Sequence, residues 1–107
     1  MPLKAVFTAL VFMAAISTAG AQTPVGDPVE GKKVAARWCA TCHDVSPDQK
    51  AAQDGIISFM QIAKLKDVSL DTLIAIQSMP HQPMLDFDLS RKVKRDIAAY
   101  ILTLKDK

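Results

Sequence analysis

Cys39 and Cys42 are the chain's two cysteines; Ala40 and Thr41 separate them and His43 follows at once. The spacing C-x-x-C-H reads as a covalent haem attachment site. Two thiols on one turn of chain can add to the two vinyl groups of one porphyrin. The imidazole then ligates the iron from the same side. Three other readings compete for these residues. A redox dithiol expects a βαβ pattern around it, and the flanking sequence neither alternates nor is rich in β-branched residues. A structural zinc site needs four ligands, and only His81 could complete the set. A chance pair of cysteines leaves the adjoining histidine without a purpose. Haem is the reading that uses all of these residues.

The amino terminus supplies a compartment. Lys4 gives a positive start, Ala5 to Ile16 is uncharged and apolar, and Ala19, Gly20 and Ala21 form a small-residue cleavage site. Residues 1–21 are therefore expected to be a signal peptide, with Gln22 first in the mature chain and the periplasm as its destination. A spanning helix needs about 20 predominantly apolar residues, whereas Ser17, Thr18, Gly20, Gln22 and Thr23 dilute this segment. No stable membrane insertion is expected after cleavage. Loss of Lys4 leaves 12 basic against 11 acidic residues, a balance that argues against nucleic acid. Fewer than 90 residues remain, with Trp38, Phe59, Phe87 and Tyr100 as the aromatics. So small a domain buries a modest core, to which a porphyrin would add a large apolar face.

Pro24, Gly26 and Pro28 mark residues 22–28 as a flexible leader, so one domain is expected over residues 29–107. Helical spacing of Val34, Ala35 and Trp38 predicts a helix from Val29 to about Ala40 that carries Cys39 into the motif. Gly31 and Ala35 lie on one of its faces and would admit a close neighbour. Asp44 to Gly55 reads as loop and Ile56 to Lys66 as a weakly periodic helix. Ser69 caps a helix that stops at Met79 before Pro80. Ser90 caps a last one, whose apolar face carries Val93, Ile97, Tyr100, Ile101 and Leu104. The class is all-α, short helices around one cofactor.

A haem held by His43 needs a group on its other side. Met60 and Met79 fall in helical segments, where thioethers commonly fill core gaps. His81 is a competitor through bis-histidine ligation. Met84 follows Pro83, and Gln82 before that proline is biased to extended geometry. An unbranched thioether on such a stiff nonhelical strap ranks first as the sixth ligand.

Three blocks in order, GKKVAARWCATCH at 31–43, HQPMLDFDLS at 81–90 and IAAYILTL at 97–104, give a chain that resembles the small class I c-type cytochromes of bacteria, single-haem periplasmic proteins. The resemblance implies the cytochrome c fold, with the first and last helices crossing so that Gly31 and Ala35 meet Ile97 and Tyr100. It implies Cys39 and Cys42 as thioether sites of one haem c, and His43 and Met84 as axial ligands of its iron. Relatives usually carry proline where this chain has Ile57, and the carbonyl there accepts a hydrogen bond from the proximal imidazole. Ile57 is expected to serve through its own carbonyl. Leu85 likewise replaces a proline common after the methionine, a change expected to loosen the strap.

The function expected is one-electron transport by a soluble, monomeric carrier between redox partner proteins: a dehydrogenase, an oxidase or a cytochrome complex. No enzymatic activity is expected. The alternatives are a haem enzyme or gas sensor with a labile distal methionine, and the cytochrome subunit of a dehydrogenase. Arg91, Lys92, Lys94 and Arg95 form a basic row that either meets an acidic partner or is a solvated helix face.

Overall fold

Asp27 starts the first helix. In this computed structural model, which describes residues 25–49, 52–79, 81 and 84–107, its carboxylate accepts from the amides of Val29 (2.9 Å) and Glu30 (3.2 Å). Helix α1 therefore spans Pro28–Trp38, with proline in the first turn, where a missing amide hydrogen costs nothing. It begins one residue before the expected Val29, so Asp27 and Pro28, assigned to the leader by composition, belong to the helix start. It also ends two residues before Ala40. The amides of Cys39 and Ala40 both reach the Ala35 carbonyl (2.8 and 3.0 Å), which breaks the α register. The expected signal peptide, residues 1–21, lies outside the described residues, as do Pro80, Gln82 and Pro83.

Helix α2 is shorter than its weak periodicity suggested. It covers Phe59–Ala63, opened by a capping box in which Ser58 and Gln61 exchange bonds, and the chain turns away through Asp67 at φ 61°. Helix α3, Leu70–Ser78, starts at the expected Ser69 cap, and Met79 is its C-cap. Helix α4, Arg91–Leu102, starts at the expected Ser90 cap. Leu104 follows in a tight turn and is still buried.

Every other helix packs on α4. At the α1 crossing a Cβ on Gly31 would run into the Asp96 carbonyl and lie 2.9 Å from the Ile97 nitrogen, so only glycine admits this approach. Ala35 and Ile97 are buried there, the pairing of first and last helices that the sequence implied. Among the described residues there is no strand, and no helix is long and apolar enough to cross a membrane.

Candidate functional site

The end of α1 delivers the motif. Just beyond Trp38 the amides of Cys42 and His43 both bond the Cys39 carbonyl (3.1 and 2.9 Å), so one turn holds both thiols and the imidazole. Both cysteines are free and half-buried. Burial, with the neighbouring Cys42, pushes the Cys39 thiol up to about 11. That thiol stays protonated at neutral pH.

His43 is aimed by its Nδ1, which lies 2.6 Å from the Ile57 carbonyl oxygen. A carbonyl only accepts, so Nδ1 carries a proton, and in the neutral ring the lone pair therefore lies on Nε2. Such a partner is what orients a metal-binding imidazole. The Phe59 amide bonds the Asp44 carbonyl at 2.9 Å and thereby sets Ile57 beside the ring. Phe59 itself packs on His43 with centroids 5.5 Å apart. Ile57 thus does through its carbonyl what the expectation asked of it.

Two braces escaped the sequence reading. Gln49 accepts from the Val45 amide (2.8 Å) and donates to the Ala40 (2.8 Å) and His43 (3.0 Å) carbonyls, stapling the loop to itself. From α4, the buried Tyr100 hydroxyl donates to the Val45 carbonyl at 2.6 Å. No local pattern announces a glutamine that serves three backbone groups. Tyr100 was legible as core but not as a donor.

Met84 stands half-buried in the irregular strap between α3 and α4, its amide donating to the His81 carbonyl at 2.6 Å. It shares a shallow wall with Gln77, Met79, His81 and Leu85. Met60 packs against the core, whereas Met79 and His81 are exposed. Phe87 of the strap stacks on Trp38 at the end of α1, centroids 5.9 Å apart. The structure gathers Cys39, Cys42, His43 and Ile57 into one unit and ties the Met84 strap to it through that pair.

The donor set suits a covalently held haem: two thiols on one turn, an imidazole with its tautomer fixed, and a thioether on a separate segment. Trp38, Met79 and Leu85, on or beside the segments that carry these donors, leave 46, 62 and 70% of their surface in water, and Ile57, whose carbonyl meets His43, leaves 40%. Among the described residues no three His, Cys, Asp or Glu side chains converge, so the zinc arrangement with His81 is not assembled.

The basic row is partly engaged within the chain. Lys92 pairs with Asp96 at 2.7 Å, and Lys94 reaches the Ser78 hydroxyl at 3.3 Å. Asp96, 4% exposed, also accepts from the Asp27 amide at 2.8 Å. Burial pushes its carboxyl up, but the bonds from Lys92 and Asp27 and the charges of Lys92 and Arg95 outweigh that and hold it below the usual carboxylate value.

The chain is 36% identical over 91 residues to a cytochrome c-552 of Bradyrhizobium diazoefficiens, an alignment that spans 85% of this chain and 88% of the relative. No family model and no solved structure matches it.

Proposed function

The chain belongs to the c-type cytochromes, and on that premise we propose that it is an electron carrier with one haem c, exported to the periplasm after loss of residues 1–21 and exchanging single electrons with redox partner proteins as a monomer. The observation that carries this reading is the 2.6 Å contact of His43 Nδ1 with the Ile57 carbonyl, one turn away from two free thiols. Haem supplies the one-electron ferric and ferrous couple. The protein's residues hold and tune it. Cys39 and Cys42 would provide the thioether links, and His43, its ring oriented by the Ile57 carbonyl, would offer Nε2 to the iron. Met84 would be the second ligand, from a separate segment, and a thioether ligand there would raise the reduction potential. With His43 and Met84 both engaged, the residues would need to bind no substrate and move no proton.

A second reading, a distal site that opens to small ligands, is favoured by Leu85. It is 70% exposed and lacks the fixed φ of the proline common in relatives. One set of spectra separates the two. A far-red thioether-to-iron band in the oxidised protein supports the carrier, and its absence from fresh protein refutes closure by Met84. Cys39→Ala together with Cys42→Ala is expected to abolish the covalent haem signal in a pyridine haemochrome assay. Met84→Ala is expected to keep the haem and lower its potential.

A further inference from the structure

Among its described residues, the strap that bears Met84 is tied to the rest of the fold by packing rather than by long-range hydrogen bonds. Between His81 and Leu89 its described hydrogen bonds are local: the Met84 amide to the His81 carbonyl (2.6 Å), the Asp88 amide to the Asp86 carboxylate (3.0 Å) and the His81 ring to the Met79 carbonyl (3.3 Å). Leu89 packs against the core, next to Asp88, which turns the chain at φ 49°. Phe87, on the near side of that turn, is half-buried yet not part of the core cluster or its surrounding layer. Its ring meets Trp38 instead, at 5.9 Å and an interplanar angle of 48°, a tilted geometry that aromatic quadrupoles favour. Trp38 in turn carries the Arg37 guanidinium 5.3 Å from its ring centroid. Trp38 adjoins Cys39, and Phe87 lies three residues after Met84. The stack therefore joins the segment anchored by thioethers to the segment bearing the distal thioether.

We propose that Trp38 and Phe87 are positioning residues that fasten the Met84 strap to the end of α1, and that this aromatic pair sets how readily Met84 yields to another ligand. The proposal deepens the carrier reading and rests on Met84 as distal ligand. Leu85, 70% exposed and without a fixed φ, gives the strap little stiffness of its own. The pair supplies it, because a strap that must unstack a pair of rings to swing away meets a cost that a free strap does not.

The test is an imidazole titration of the oxidised, haem-loaded protein, read by the shift of the main haem absorption band and, where Met84 is present, by loss of the far-red band. Phe87→Ala and Trp38→Ala should each bind imidazole about three- to tenfold more tightly than wild type, the range expected from losing one aromatic pair. The double variant should do little more than either alone, since both changes break one contact. Phe87→Tyr, which keeps the ring, should behave as wild type, and Phe87→Leu, which keeps apolar volume, should fall between. An affinity for Phe87→Ala and Phe87→Leu within twofold of wild type overturns the proposal, even where their thermal stability drops. So do single effects that multiply in the double variant. Met84→Ala, measured alongside, separates the two levels: wild-type imidazole affinity in that variant refutes Met84 as ligand, whereas tighter binding there with unchanged Phe87 variants refutes the fastener alone.

Discussion

Replacing Gly31 by alanine sets two effects of opposite sign against each other at the α1–α4 crossing. In an exposed helix the change stabilises by about 1 kcal/mol, because glycine loses more backbone freedom on folding. At Gly31 the added Cβ meets the carbonyl of Asp96 and lies 2.9 Å from the Ile97 nitrogen. These are backbone atoms in the middle of α4 and cannot rotate aside, so the helices must separate. Separation loosens the contact around Ala35, Ile97 and Ala98, each at most 2% exposed. Overpacking of this kind costs about 1–3 kcal/mol, and a backbone neighbour puts Gly31 at or beyond the upper end. The net loss is about 2 kcal/mol, which in a domain of this size lowers the melting temperature by roughly 8–16 °C. Thermal unfolding of the haem-loaded protein, followed by far-ultraviolet circular dichroism, measures it. Ala36→Gly is the control, on an exposed position of α1, and should cost only about 1 kcal/mol. A melting temperature for Gly31→Ala equal to or above that of wild type would refute the argument, since helix propensity would then have won.

Two further outcomes follow from buried polar groups. Asp96 is held below the usual carboxylate value, so its contribution is present in full above the unfolded value of about 3.9 and is lost as pH falls through the lower folded one; Asp96→Asn should be less stable at pH 7 and show a flatter acid limb, and parallel limbs for the two proteins would assign the acid loss elsewhere. Tyr100→Phe leaves the Val45 carbonyl without its 2.6 Å donor and should cost about 1–3 kcal/mol in denaturant unfolding at pH 7. Burial and the charge of Asp48 push the Tyr100 phenol up, so the wild-type advantage should hold to about pH 10 and fade as pH rises through the higher folded value.

Local chemistry was legible in the sequence and long-range chemistry was not. Cys39, Cys42 and His43 declare themselves by spacing, and Ser69 and Ser90 by standing within three residues of the apolar periods they precede; both cap their helices. Asp27 obeyed the same rule, ahead of a proline at the first helical position, but the surrounding Pro24, Gly26 and Pro28 read as loop. The second helix failed for a different reason: its apolar spacing ran on past Ala63, while Lys64 and Asp67 bent the chain away. Asp96 and Gln49 gave no signal. The partner of Asp96 is an amide 69 residues away, and nothing in an acidic residue among lysines tells a buried clasp from a solvated face.

The two sides of the site are held by different forces, and that difference bears on what the carrier can do. On the His43 side, Ile57, Gln49 and Tyr100 hold the loop through hydrogen bonds of 2.6–3.0 Å, and Tyr100 is itself placed by α4, on which every other helix packs. Moving His43 means breaking several directional bonds in a partly buried place, each costly to leave unmade. On the Met84 side the described bonds are local, and the strap rests on Phe87 and Leu89. Packing contacts yield gradually and unevenly, without the threshold of a buried hydrogen bond. With His43 and Met84 as the proposed ligands, a carrier built this way would keep its histidine fixed through redox cycling and would open its iron on the methionine side. On that proposal, the strength of the Trp38–Phe87 contact would decide whether the protein stays a closed carrier or admits an outside ligand in place of Met84.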